Sequence, residues 1–152
     1  MRRKNQEITD KKVIESVIKK AEICRIAFSE NDTPYIVPVV FGYKENCLYV
    51  HSAREGKKID IIRKNNKVCF EFEVDVELVK SENVCKWGVK YYSVIGFGKA
   101  SLVDGVKEKK RALDIIMEHY SDDSYEYSEE FVNKLIIIKI LIESLTGKKS
   151  RY

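Results

Sequence analysis

The sequence predicts a mainly β protein of the α+β class, built as a small antiparallel barrel with peripheral helices. About six segments show the alternation or composition of β-strands, and about three show helical periodicity. The two kinds of segment do not alternate regularly, as they would around a parallel sheet. A length of 152 residues is typical of one domain, so we expect a single domain over residues 1–152.

The first half of the chain predicts one helix followed by three strands. Thr9 or Asp10 can cap the helix, whose apolar positions recur at helical spacing: Val13, Ile14, Val17, Ile18 and Ala21. Polar turn residues separate the three strands, at residues 23–29, 35–43 and 47–52. Pro38 cannot donate a backbone hydrogen bond, so the second strand should be an edge strand or bulged at that point.

The second half predicts two further helices and three longer strands. The helices fall at residues 57–64 and 106–120, and the strands at residues 67–79, 91–103 and 135–145. The first of these strands alternates strictly and has an acidic outer face. In the next strand, Gly96 and Gly98 lie on one side, which leaves space either for a bend of the barrel or for a group close to the backbone.

Composition and charge favour a cytoplasmic protein without a nucleic-acid or membrane partner. The 28 basic and 24 acidic residues leave a net charge of only +4, too small for the basic surface of a nucleic-acid-binding domain. Residues 1–4 are basic, but no uninterrupted apolar segment follows them, and no apolar run approaches the length of a membrane span. The four cysteines are widely spaced, which predicts core thiols and no metal site.

The segment from His51 to Lys58 is the best candidate for a binding site. A predicted strand ends at Ser52, Gly56 permits a tight turn, and Lys57 and Lys58 open a helix. The start of a helix offers free N–H groups and partial positive charge, both suited to a phosphate group. An ordinary solvated helix start would have the same sequence, so both interpretations stay open.

A second candidate is the group of aromatic residues formed by Trp87, Tyr91 and Tyr92, which lies beside Lys86 and Lys90. These aromatic side chains could cover a flat cofactor, pack at a dimer interface, stack on nucleic-acid bases or belong to the core. The sequence also contains no nucleophile elbow, zinc-protease motif or dinucleotide-binding fingerprint.

Taken in order along the chain, these segments resemble the 5-nitroimidazole-resistance (Nim) proteins of the FMN-binding split-barrel group, which includes pyridoxamine 5′-phosphate oxidase. The resemblance is carried by five stretches: Pro34-Tyr35-Ile36-Val37-Pro38 with Phe41-Gly42-Tyr43, Leu48-Tyr49-Val50-His51-Ser52-Ala53, Gly56-Lys57-Lys58, Ser93-Val94-Ile95-Gly96-Phe97-Gly98, and Thr146-Gly147-Lys148.

The resemblance implies a six-stranded split barrel that forms a homodimer, with two FMN sites at the subunit interface. Ser52, Lys57 and Lys58 match the contacts to the FMN phosphate. The positions near the flavin ring are Val39, Val40, His51, Ala53 and Ser93, with Trp87 and Tyr92 supplied by either subunit. His51 also matches the histidine near the flavin in Nim proteins, where it would orient the substrate or stabilise developing negative charge.

The leading functional hypothesis is therefore an FMN-dependent oxidoreductase that reduces small nitroaromatic compounds such as 5-nitroimidazoles. The alternative is a non-catalytic, stress-related protein of the same fold that binds flavin or haem, with His51 or His119 as an axial ligand.

Overall fold

The protein is a single antiparallel sheet flanked by helices, as given by a computed structural model that describes residues 4–152. Met1, Arg2 and Arg3, part of the basic segment considered above, lie outside the described residues. Within residues 4–152 there are eight strands: β1 Glu7–Ile8, β2 Cys24–Glu30, β3 Thr33–Val39, β4 Gly42–Lys44, β5 Cys47–Ala53, β6 Lys67–Val79, β7 Gly88–Val103 and β8 Leu135–Ser150. The α-helices in that range are α1 Lys11–Lys20, α2 Lys57–Lys64, α3 Val106–Glu118 and α4 Glu129–Lys134.

The strand order explains why the barrel is split. The sheet runs β3-β2-β6-β7-β8-β5-β4, with β1 added to β8. Its two edge strands, β3 and β4, are consecutive in the chain and are separated only by Val40 and Phe41. Such a short connection can join the two edges only if the sheet curls until they approach each other. In the described part of the chain β3 and β4 do not pair, so the curled sheet stays open, and the predicted fold class is confirmed.

The prediction of one continuous strand over residues 35–43 is wrong. The strand stops at Val39, and a new one begins at Gly42 on the opposite edge of the sheet. Between them, Phe41 turns into the core, where its ring centroid lies 4.9 Å from that of Phe72. The Phe41 N–H donates to the Tyr120 hydroxyl at 3.0 Å. A backbone group bonded to a distant side chain cannot also continue a strand ladder. Pro38 does lie on an edge strand, as predicted.

Two further strand boundaries differ from the prediction by three residues or more, and one helix was not predicted. Strand β7 begins three residues earlier than predicted because residues 88–90 pair with the end of β6. Strand β8 continues to Ser150 because its last residues pair with β7 from Tyr91 onwards. Helix α4 was not predicted. It has six residues, too few for a periodic pattern, and the Ser128 hydroxyl caps it by accepting from the Phe131 N–H at 3.2 Å. None of the helices in residues 4–152 is long and apolar enough to cross a membrane.

Two apolar clusters hold the sheet and helices together. The larger lies inside the curl, where the inward side chains of β2, β5, β6 and β8 meet α1 and α2. The smaller joins α3 and α4 to the outer side of β5 and β8. Gly96 allows the Phe70 ring of the larger cluster to pack against its backbone, since a Cβ at this position would lie 2.3 Å from that ring. The pairing of β7 with β8 is irregular next to Gly96, between Phe97 and Gly98. The glycines therefore accommodate a bend packed by a core ring.

The cysteines behave as core thiols where the strands bury them. Cys24 and Cys47 are buried, Cys69 is partly buried, and Cys85 is exposed. All four are free thiols. Burial raises the pKa of the Cys24 thiol, which keeps it protonated and unreactive.

Candidate functional site

The turn between β5 and α2 has the geometry of an anion site. Gly56 has a φ of 122°, a region that favours glycine, and it occupies the N-cap position of α2 without a side-chain cap. The first N–H groups of α2 have no partner within the helix. Lys57 is exposed and Lys58 partly exposed, so two ammonium groups accompany these N–H groups. The turn therefore presents positive charge and free donors together.

Two of the predicted contact residues are buried serines. Among residues 4–152, the polar side chains that are nine-tenths or more buried are Ser52, Ser93 and Lys109, exposed by 6%, 8% and 1%. No side-chain hydrogen bond of Ser52 or Ser93 is found within these residues. Among the described residues, the fully buried side-chain oxygens without a partner are Gln6 Oε1 and Tyr127 OH, so the two serine hydroxyls keep some contact with solvent. A ligand can therefore reach the hydroxyls of Ser52 and Ser93.

His51 lies beside Ser52 but projects from the opposite face of β5, where it is exposed. The surrounding protein partly removes the imidazole ring from water, which lowers the pKa of His51 below its ordinary value of 6.5. The positive charge of Lys58 lowers this pKa further. The ring is therefore mainly neutral at pH 7. In that state it can donate one hydrogen bond and accept another.

A contact with Tyr35 links the start of α2 to β3, the strand that ends at the predicted contact Val39. The Lys57 ammonium sits 4.6 Å from the centroid of the Tyr35 ring, which places α2 against this strand. Val39 is four residues further along β3 and packs partly against the core. Val40, in the break after β3, is exposed.

The remaining predicted residues belong to a separate region of the same chain. His51 pairs with Ile137, and Ile137 pairs with Val103 at the end of β7. Ser93 precedes Val103 by ten residues, which corresponds to about 33 Å along the strand at roughly 3.3 Å per residue. We call His51, Ser52, Ala53, Lys57 and Lys58 the β5–α2 group, and Trp87, Tyr92 and Ser93 the β7 group.

The three aromatic residues of the β7 region do not form one cluster, because each contacts a different residue. The Trp87 indole donates to the Ser81 carbonyl at 2.7 Å. Tyr91 accepts a hydrogen bond from the Lys148 ammonium at 2.7 Å. Tyr92 faces the inner side of the sheet and stacks on Tyr152, with ring centroids 4.2 Å apart.

His119 has a structural role. Its Nε2 donates to the Ala21 carbonyl at 2.7 Å, and its ring lies 4.3 Å from that of Phe41. Because this nitrogen is already bound within the core, the structure gives no support to His119 as an axial ligand.

The sequence does not predict a group of ion-paired residues that lies beside the turn. Arg54, in the middle of the turn, forms an ion pair with Asp104, and Asp104 also binds the buried Lys109. From the sequence, Arg54 is only one residue of the segment between His51 and Lys58. Asp104 is 50 positions further along the chain, and no pattern in the sequence predicts this pair.

The outer face of the sheet carries an exposed apolar row. Ile36, Ala27, Cys69 and Phe97 are cross-strand neighbours on β3, β2, β6 and β7. Ile36 and Phe97 are exposed, as is Ile95, which lies between Phe97 and Ser93 along β7. We call this row, with Ile95, the outer apolar patch. Arg25, paired with Glu71 and Glu73 at 3.2 and 3.0 Å, borders it. An apolar centre with a charged rim is typical of a protein interface.

Comparison with known proteins identifies relatives over nearly the whole chain. The family model described as pyridoxamine 5′-phosphate oxidase matches residues 10–149. Among curated proteins, an uncharacterized protein of Rhizobium meliloti (strain 1021), RA0666, is 37% identical over 57 residues, which is 38% of this chain and 37% of that protein. The match thus spans little more than a third of that relative's length.

Solved structures share the fold. A candidate 5-nitroimidazole antibiotic resistance protein from Bacteroides thetaiotaomicron VPI-5482 is 37% identical, with a TM-score of 0.84 over 94% of this chain and 86% of that one. The flavocytochrome Anf3 from Azotobacter vinelandii has a TM-score of 0.86 at 13% identity, covering 100% and 72%. An FAD- and heme-binding protein from Mycobacterium smegmatis has the same score at 12% identity, covering 97% and 74%. At such low identities the last two show the fold alone.

We expect His51 to titrate below pH 6.5 in the folded protein. Because the pKa of His51 is lower in the folded protein than in the unfolded chain, the unfolded chain binds a proton more readily. The free energy of unfolding should therefore decrease as the pH falls below about 6.5. The pKa is measured by proton NMR, with the two histidines assigned by a His51→Asn variant. Lys58→Gln should raise the midpoint while leaving it below 6.5, since partial desolvation of the ring by the surrounding protein is the larger cause of the lowered pKa. A midpoint at or above 6.5 in the unmodified protein would contradict this account.

Proposed function

Because the chain belongs to the pyridoxamine 5′-phosphate oxidase family, we propose that it is an FMN-binding oxidoreductase that works as a homodimer and reduces nitroaromatic compounds such as 5-nitroimidazoles. The observation that carries the proposal is the buried, unpartnered Ser52 beside the uncapped start of α2. The 37% identity to the Bacteroides resistance protein supports the choice of substrate class. The single domain over residues 1–152 and a cytoplasmic location are part of the same proposal.

The residues of the β5–α2 group fit the phosphate of FMN. A dianion at the start of α2 would meet free N–H groups, the Ser52 hydroxyl and the ammonium groups of Lys57 and Lys58. Val39 at the end of β3, Val40 in the break that follows it, and Ala53 would offer apolar and backbone surface for a flat ring. Cofactor sites typically combine apolar surface of this kind with a few placed polar groups.

The distance between the two groups of site residues supports a site shared by two copies. In one chain, the β5–α2 group and the β7 group are separated by most of the length of β7. Ser93 lies on the outer face beside the outer apolar patch, and its hydroxyl makes no side-chain hydrogen bond within the described residues. If two copies associate through that patch, Ser93 would face the β5–α2 group of the second copy, with Trp87 just before the start of the same strand. Tyr92 faces the inner side of β7 and would border the site from there.

A bound flavin would supply the electrons for reduction of a nitro group. Conversion of a nitro group to a nitroso group takes up two electrons and two protons and releases water. His51 would contribute an N–H hydrogen bond to the nitro oxygen, where negative charge develops. Its lowered pKa suits this role, because the neutral ring donates without repelling a nearby cationic lysine.

The purified protein should bind FMN, and Lys57→Ala or Lys58→Ala should each weaken binding about tenfold, since a hydrogen bond to a charged group contributes roughly 1.5–3 kcal/mol and exposed ones lie at or below the low end of that range. Flavin absorbance and fluorescence quenching measure the affinity. Riboflavin, which lacks the phosphate, should bind the variants and the unmodified protein equally well.

Lys64→Ala is the matched control, because Lys64 lies at the other end of the same helix and pairs with Glu30. Its FMN affinity should be unchanged. A protein that binds no FMN, or that shows a Soret band of bound haem instead, would overturn the cofactor assignment. If all three lysine variants bind FMN as tightly as the unmodified protein, Lys57 and Lys58 do not contact the phosphate.

The FMN-loaded protein, reduced chemically without oxygen, should be reoxidised by a 5-nitroimidazole and not by the analogue that lacks the nitro group. His51→Asn should slow this reoxidation about tenfold or more, because a donor to developing charge contributes at least ~1.5 kcal/mol. Stopped-flow absorbance of the flavin measures the rate. Reoxidation only by oxygen, with no effect of the nitro compound, would contradict the proposed activity.

The protein should be a dimer, and Ile95→Lys should dissociate it and weaken FMN binding. In the isolated chain the new lysine would lie opposite Glu71, so the fold should tolerate it. The substitution should therefore destabilise the dimer and not the fold of each subunit. Val106→Lys is the control, since Val106 is exposed to the same degree (43% against 45%) and starts α3, outside the outer apolar patch. Sedimentation equilibrium measures the mass. A stable monomer that binds FMN fully would contradict the shared site.

A further inference from the structure

Arg54 lies within the β5–α2 turn, but its charge is directed away from the start of α2. Its Nη1 donates to Asp104 Oδ1 at 2.6 Å, and its Nη2 donates to Asp104 Oδ2, so the pair is bidentate. The same Nη1 also lies 3.3 and 3.4 Å from the carbonyl oxygens of Asn133 and Leu135. One side chain thus joins the turn to the β7–α3 connection and to the α4–β8 junction.

Lys109 fixes the other side of the same cluster. It is only 1% exposed, and its ammonium donates to Asp104 Oδ1 at 3.1 Å and to the Leu135 carbonyl at 3.0 Å. A buried ammonium requires such partners, because leaving it unpaired away from water is very unfavourable. Lys109 is the one charged side chain that is nine-tenths buried in residues 4–152, and it holds both Asp104 and the start of β8.

The electrostatics show that Arg54 is not free to bind an anion. The hydrogen bonds from Arg54, and next those from Lys109, hold the pKa of Asp104 at about 2, so this carboxylate is ionised at any pH of interest. Both Asp104 oxygens are used by the two cations. A guanidinium already paired in this bidentate way has little positive charge to offer a phosphate.

We propose that Asp104 and Lys109 are positioning residues that clamp the cofactor-binding turn through Arg54. The clamp fixes residues 53–58 so that Ser52 and the first N–H groups of α2 are held ready for an anion. This inference rests on the proposed function for the identity of the anion, whereas the clamping of the turn is independent of it.

The test uses the full chain with Asp104→Asn. An asparagine keeps one oxygen for Lys109 but removes the charge and the second acceptor for Arg54. In the ligand-free variant, hydrogen exchange of the amides of residues 53–58 should accelerate about tenfold or more, with little change at the centres of β6 and β8. FMN affinity should fall about tenfold, while riboflavin affinity should change less, because the loosened turn serves the phosphate.

Glu108→Gln is the matched control, since it removes one negative charge next to Lys109 but outside the cluster, and it should alter neither measurement. Arg54→Met should reproduce the effects of Asp104→Asn, and the double variant should be no worse than either single one. Arg54→Met also serves if Asp104→Asn does not fold.

Three outcomes would overturn the clamp. FMN binding by Asp104→Asn that equals or exceeds that of the unmodified protein would show that a released Arg54 binds the phosphate itself. Unchanged hydrogen exchange in the turn would show that the cluster does not restrain it. Equal losses of FMN and riboflavin affinity would indicate a general structural defect. Failure of the unmodified protein to bind FMN would instead overturn the proposed function, and the exchange measurement would still decide the clamp.

Discussion

The architecture depends on the two-residue connection between β3 and β4. These strands form opposite edges of the sheet, and only Val40 and Phe41 join them. The connection is held by the end of α3: the Tyr120 hydroxyl accepts from the Phe41 N–H and donates to the Glu22 carbonyl at 2.9 Å. Together with the hydrogen bond from His119 to Ala21, this ties the closing link of the sheet to the end of α1. The curl of the sheet follows from this constraint.

The curl in turn determines what the candidate site can be. It brings the end of β5 and the start of α2 against β3, as the contact of Lys57 with the Tyr35 ring shows. It also leaves the outer surfaces of β2, β3, β6 and β7 uncovered by any helix of the described residues, with apolar side chains in a cross-strand row. The candidate phosphate site and the outer apolar patch thus lie in different parts of one small sheet, an arrangement compatible with the proposed site between two copies.

Membership of the family does not by itself settle the chemistry. Solved structures with this fold include a flavocytochrome and a protein that binds FAD and heme, both at identities that show the fold alone. The residues of this chain carry the rest of the argument. Two buried serine residues make no side-chain hydrogen bond within the described residues, one of the two histidines is bonded within the core, and the other is exposed beside a lysine. These features favour an anionic cofactor with His51 near the substrate.

Local sequence determined the parts of the fold that local forces control. The strict alternation in β6, the Asp10 cap of α1 and the glycine at the start of α2 could each be predicted, because side-chain periodicity, a capping oxygen and a left-handed φ depend on neighbouring residues. The β5–α2 turn could be predicted as a candidate site for the same reason. The assignment of individual contacts depended on the resemblance to Nim proteins.

Only the tertiary structure decided the break at Phe41, the pairing of Arg54 with Asp104 and the separation of Ser93 from His51. Each of these depends on residues about ten to eighty positions away along the chain. Phe41 leaves its strand because Phe72 and Tyr120 receive it, and Arg54 turns from the anion site because a buried lysine holds Asp104. Long-range pairing of this kind leaves no periodic trace in sequence, since it is fixed by the order of the strands and not by the residues of any one of them.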